Sequence, residues 1–156
     1  MRKPGIVFIN RVYPPHHGAS GRLLRDLARS FARQGWQVTV VTTGKTAKKE
    51  HDGMVRVIRV KAKENPKNAL SYTFILTKLF LKSLTVKPCD IIVTMTDPPL
   101  TCVFGRLIQR IRKVKHIHWA QDLYPDLFPI IGSKFPKFIL DKMQHYTMNA
   151  YKTADR

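Results

Sequence analysis

The sequence predicts one α/β domain on a mostly parallel, doubly wound sheet with strand order 3-2-1-4-5. Three observations predict it. Short apolar runs rich in β-branched residues alternate with stretches of helical period. Those runs are apolar almost without interruption, as in strands covered on both faces. The chain has 156 residues, 44% of them hydrophobic and 24% charged, which suits one domain with its own core. Right-handed crossovers between parallel strands then select the order.

The elements follow in turn. Residues 5–10 (GIVFIN) read as a buried strand. Residues 11–20 form a loop with Pro14, Pro15 and Gly18. A helix is predicted over 21–34, with Leu24, Leu27, Ala28 and Phe31 on one face. Arg22, Arg25, Arg29 and Arg33 form a stripe on another, and Gly35 stands where a helix C′ residue belongs. Residues 37–43 (QVTVVTT) are the second strand, and 44–53 read as a Lys-rich loop. Residues 54–61 (MVRVIRVK) alternate apolar and basic, which predicts an edge strand with one wet face. A helix over 68–85 ends at Lys87-Pro88. Residues 90–96 (DIIVTMT) form the fourth strand, Asp97-Pro98-Pro99 a turn, and 100–113 a helix. A fifth strand over 115–120, a loop over 122–132 and a last helix over 135–152 complete the pattern.

The charge is far from balanced. Subtracting 10 Asp+Glu from 28 Lys+Arg gives +18, with a pI near 10.4. Such a surface attracts nucleic acid, anionic lipid headgroups or phosphorylated ligands. No nucleic-acid-binding signature accompanies the charge, so a basic nucleic-acid module is the weaker reading and no nucleic acid is expected. Cys89 and Cys102 make no disulfide framework, which points to a reducing cytoplasm. The apolar run after Arg2-Lys3 stops at Asn10-Arg11, too short for a secretory signal. The most apolar helical stretch carries Lys78 and Lys82 and is too interrupted to span a bilayer.

In a doubly wound sheet, ligands bind at the carboxyl ends of the strands beside the switch in strand order. The loops there are 10–22, 96–100 and 120–132. The first contains His16, His17, Gly18, Ala19, Ser20, Gly21 and Arg22. Its glycines admit close approach of backbone N–H groups to an anion at a helix N-terminus, with Ser20 as N-cap. The alternative is a turn that needs glycine for backbone reasons alone. About ten residues separate strand and glycines, so this is no dinucleotide fingerprint. Gly44-Lys45-Thr46 is no P-loop, because Thr39 stands where the first glycine belongs. His116 and His118 share a strand face. Buried, hydrogen-bonded histidines are the expectation there, and no metal site.

The first strand, the Pro-Pro-x-x-Gly-x-x-Gly-Arg loop (14–22) and the helix ending Arg-x-Gly-x-x-Val-x-Val-Val-Thr (33–42) resemble the N-terminal domain of glycosyltransferase family 4. The resemblance continues in 90–99 (DIIVTMTDPP), in Gln121-Asp122-Leu123-Tyr124-Pro125-Asp126 and in 151–156 (YKTADR). It implies a Rossmann-like sheet as the N-terminal half of a retaining enzyme of GT-B architecture. It also implies that a C-terminal domain, absent from these 156 residues, binds most of the nucleotide-sugar donor. Glu50 and Glu64 are the two glutamates, and neither can supply that domain's Glu-rich signature. The isolated half is expected to be inactive.

By resemblance, Asp122 bonds a sugar or acceptor hydroxyl, whose proton goes either to its carboxylate or, in a same-face retaining transfer, to the leaving phosphate. Its other reading is an Asx-type cap of the turn before Tyr124-Pro125. Residues 18–22 are placed near acceptor or donor phosphate, and His17, Asp97, Pro98 and Tyr124 on the acceptor side; the other reading of Asp97, the favoured one, is a turn residue before Pro98-Pro99, and that of His16 and His17 is a solvated loop pair. No cofactor is expected. The helix over 68–85, with Lys67, Lys78 and Lys82 among many apolar residues, reads either as an interfacial helix on anionic lipid or as a core helix with a lysine edge. Arg106, Arg110, Arg112, Lys113 and Lys115 crowd the end of the next helix, partly as complement to its dipole. The function expected is transfer of sugar to a lipid-linked or phosphorylated glycan at the cytoplasmic face of a membrane. A non-catalytic subunit that recruits a donor-binding chain to the membrane is the other reading.

Overall fold

β1 (Gly5–Ile9) is buried along its whole length and pairs in parallel with β2 (Gln37–Gly44) on one side and β5 (Ile91–Met95) on the other. In the computed structural model the described residues are 2–63, 66, 68–130 and 135–154. Glu64, Lys67, Gly132, Asp155 and Arg156, which entered the expectations above, lie outside them. Among the described residues the sheet has the order β3-β4-β2-β1-β5-β6. β4 is Val55–Lys61 and β6 is Lys115–Trp119, both parallel to their neighbours. Without β3, the order is the expected 3-2-1-4-5.

β3 (Lys48–Asp52) corrects the expected Lys-rich loop. It pairs antiparallel with β4 through a two-residue turn at Gly53-Met54. Gly53 takes φ +60°, a conformation that costs little only without a Cβ. β4 is therefore no edge strand. Residues 57–60 are buried, Arg59 among them.

The side chains of β1 alternate between two cores. Ile6 and Phe8 pack with Leu24, Ala28 and Ala32 of α1 (Ala19–Arg33). Val7 and Ile9 pack with Ile75 and Leu79 of α2 (Ala69–Leu84) and Ile108 of α3 (Thr101–Arg112). The expected helix boundaries hold to within two residues. Gly35 takes φ +89° just after α1, as its C′ position requires. The Asn68 side chain caps α2, accepting from Ser71 N–H at 2.9 Å. A one-turn helix α4 (Leu127–Ile130) interrupts the expected loop, and α5 (Lys137–Thr153) packs on α3.

Candidate functional site

The strand order reverses between β1 and β5, and the loops after these two strands are joined there. Arg11 N–H donates to the Asp97 carbonyl at 2.6 Å, and Arg11 Nε donates to Asp97 Oδ1 at 2.7 Å. The Arg11 carbonyl accepts from both Thr42 Oγ1 and Thr43 Oγ1 at 2.8 Å. Arg11 thus ties the ends of β1, β2 and β5 into one rim. Its guanidinium also lies 5.9 Å from the centre of the Tyr72 ring.

Over that rim opens a cleft of about 510 Å³. Arg11 and Ser20 line it from the first loop, Thr96 and Asp97 from the second, Asp122 and Tyr124 from the third. Each loop also contains a cis peptide, before Pro15, Pro98 and Pro125 respectively. Asp122 is exposed to the cleft. Burial raises the pKa of Tyr124, and the carboxylates of Asp122 and Asp97 raise it further. Tyr124 therefore stays a neutral phenol. Thr96 Oγ1, in the cleft lining, and Asn10 Oδ1, just past β1, are buried without a hydrogen-bond partner among the described residues. The Asn10 amide donates to the Val12 carbonyl at 2.8 Å and reaches Ser20 Oγ at 3.4 Å.

Of the site residues read from sequence, Ala19, Ser20, Asp97, Asp122 and Tyr124 come together in this cleft. His17 and Arg22 are exposed and do not line it, and Pro98 is buried beneath. Ser20 is not the N-cap: α1 starts at Ala19, after Gly18, and no side chain caps it. A Cβ on Gly18 would come 2.9 Å from Val12 Cγ1, and one on Gly21 would come 3.0 Å from that atom. The bare faces of both glycines are thus turned to Val12, the backbone reading of this loop. They let α1 close on the first loop and leave its N-terminal turn at the cleft wall. Arg11 and Tyr72 escaped the sequence reading. The signal for Arg11 was its place as the second residue past β1.

Thr94 Oγ1 sits 2.8 Å from His116 Nε2 and 2.9 Å from His118 Nδ1. Burial lowers the pKa of His118 to about 4, and its ring stacks on Tyr151 at 5.4 Å. Among the described residues no three His, Cys, Asp or Glu side chains converge as metal ligands.

The basic residues are distributed unequally. Arg112 donates to the carbonyls of Ser83, Val86 and Lys87, closing the C-terminus of α2. Arg106 is half-buried, with its Nε lacking a partner among the described residues. Arg110 and Lys113 are exposed. Lys78 Nζ donates to the Lys61 carbonyl at 2.8 Å and stands 4.3 Å over the Phe74 ring, while Lys82 is half-buried. Lys45, Lys61, Lys63 and Lys78 surround a depression of about 550 Å³ walled by Phe74 and Ile75. On the same helix, Leu70 is 81% exposed and Phe74 60%.

Comparisons with known proteins add three findings. The sequence profile of a family described as glycosyl transferase 4-like domain matches residues 18–151. No curated protein matches the sequence. Among solved structures, sucrose-phosphate synthase from Thermosynechococcus elongatus is similar over 98% of this chain, with a TM-score of 0.66 and 17% identity. The chain spans 41% of that protein's length, and the likeness is one of fold.

Proposed function

The chain belongs to the glycosyl transferase 4-like family, and on that premise we propose that it is the acceptor-binding N-terminal domain of a retaining transferase of GT-B architecture. The donor, a nucleotide-sugar, is held mainly by a second domain that faces the cleft. The observation that carries this reading is the convergence of Arg11, Ser20, Asp97, Asp122 and Tyr124, from three loops, at the switch in strand order.

Asp122 orients the acceptor hydroxyl. As that oxygen bonds to the anomeric carbon, the bond from carbon to the leaving phosphate breaks. The hydroxyl proton passes to the departing phosphate oxygen on the same face. The N-terminal turn of α1 lies where a phosphate gains from unpaired N–H groups and the helix dipole. Arg11 holds the rim and contributes positive charge.

The acceptor is a lipid-linked or phosphorylated glycan presented at the cytoplasmic surface of a membrane. The exposed apolar residues of α2 beside four lysines support peripheral attachment to anionic lipid. Among the described residues no helix is long and apolar enough to cross a membrane.

Incubating the 156-residue chain with nucleotide-sugars and lipid-phosphate acceptors is expected to give no turnover. Vesicles containing anionic lipid are expected to pellet the chain at low salt and release it as salt rises. Turnover at the level of a two-domain enzyme would contradict the division of labour. Equal binding to neutral vesicles would remove the electrostatic attachment.

A further inference from the structure

Beyond the polar cleft the surface changes character. Tyr72, Pro99 and Tyr124 form its edge, and the same three residues begin a second hollow of about 260 Å³. That hollow is lined further by Leu76, Phe128 and Phe135, with no charged side chain. Leu100 and Met143 close it and at the same time open a third, of about 300 Å³, between α3 and α5. Val103, Phe104, Phe138 and Ile139 wall this third hollow, and Lys142 is its one charged lining residue. Phe138 is 71% exposed and Tyr146 51%, apolar surface that water gains nothing by covering. Leu100, at the junction, takes φ +67°, unusual for a branched residue and held by the surrounding packing.

The three hollows share residues end to end and form one amphipathic path. Its first part is polar and carries the candidate reacting groups; the rest is mainly apolar, with Asn68 and Thr73 at the second hollow and Lys142 at the third. We propose that the trough from Tyr124 to Tyr146 seats the hydrocarbon chain of an amphiphilic acceptor whose head occupies the cleft at Asp122. The occupant is thus a lipid whose tail starts at a phosphate- or sugar-bearing head, such as a prenyl or alkyl phosphate ester. The inference rests on reading the cleft as the acceptor site; it commits to the lipid-borne form of that acceptor and assigns the surface that seats its hydrocarbon chain. A soluble sugar acceptor has no use for an apolar trough continuous with the head's seat. A lipid gains affinity from each methylene withdrawn from water.

The test uses the 156-residue chain and alkyl phosphates below their micelle-forming concentrations. From octyl to dodecyl phosphate the affinity is expected to rise about fourfold per methylene. Phe138→Glu, at an exposed position, is expected to weaken dodecyl phosphate at least tenfold while melting temperature and inorganic phosphate binding stay as in the parent. Dodecyl phosphate with a diazirine at the chain end is expected to label residues within 138–146. An affinity independent of chain length overturns the proposal, and so does labelling confined to α2. If Phe138→Glu instead lowers the mass seen by light scattering, the face joins copies of this chain and the proposal falls. Chain length and labelling decide the trough, whereas turnover by an Asp122→Asn variant of an enzyme that pairs this domain with a donor-binding one decides the cleft, so the two readings fail separately.

Discussion

At the β3–β4 hairpin, the carboxylates and the buried Arg59 are tied to charged partners and backbone carbonyls, whereas the flank built by α3 and α5 leaves large apolar side chains in water. Arg59 carries the first arrangement. From within the sheet it donates to Glu50 and to the carbonyls of Tyr13, Pro14 and Thr43. Glu50 also meets Lys48, whose hydrogen bond, with that of Arg59, holds its carboxyl below the ordinary range. Asp52 accepts from Tyr13 Oη at 2.8 Å and from Arg29, and the Arg29 bond is the largest cause of its lowered pKa. On the opposite flank, Phe138 and Tyr146 stand exposed. The first flank shows what this chain does with polar groups that only hold the fold: it pairs them. The second leaves apolar area open beside the cleft, and that surplus is what a ligand can use.

The largest expected effect lies on the closed flank. Arg59→Met keeps volume and removes the guanidinium. It leaves Glu50 with Lys48 alone and strips a donor from three carbonyls of the first loop and β2. A loss of about 4 kcal/mol is expected, read by urea denaturation. A loss below about 1 kcal/mol would mean that the flank is held by apolar packing instead. A smaller effect concerns His118, beside the open flank. Its pKa of about 4 in the fold lies below the ordinary 6.5, so the unfolded chain binds the proton first. The stability it contributes is complete above about pH 6.5 and falls as pH drops toward 4, by about 2 kcal/mol after allowance for partial exposure. His118→Gln is expected to flatten that part of the pH–stability curve. An unchanged slope would assign the titration to other groups. The smallest effect is on the open flank itself: Phe138→Glu is expected to shift stability by less than about 0.5 kcal/mol, since the residue packs on little. A large loss would make Phe138 part of the core and close the comparison.

Much of this architecture is legible in the sequence where packing follows local pattern. The β-branched runs of β1, β2 and β5 are buried on both faces and announce themselves by composition. Gly35 marks the end of α1 because the φ of +89° just past that helix favours a residue without a Cβ. β3 was hidden because Lys48-Lys49-Glu50-His51-Asp52 contains no apolar residue. Its pairing rests on backbone bonds and on ion pairs with partners elsewhere in sequence. The sign available was Asp52-Gly53, a turn dipeptide directly before an alternating run. The cleft loops were legible because the switch in strand order locates them. The roles within them were less so. Gly18 and Gly21 look identical to ligand-facing glycines until Val12 is placed against them. Arg11 becomes a rim residue only when the end of β5 arrives beside it. The trough depends on α5 crossing α3, a contact between segments without shared periodicity.

The account turns on Asp122 as a reacting group in place of a turn cap. The direct measurement is steady-state transfer by an enzyme in which this domain acts together with a donor-binding one, comparing Asp122→Asn with the parent. The substitution keeps size and removes charge and basicity. Turnover is expected to fall about 10²-fold or more, with the KM for the nucleotide-sugar and the melting temperature little changed. Parental activity in Asp122→Asn, or a loss explained wholly by unfolding, would contradict the assignment.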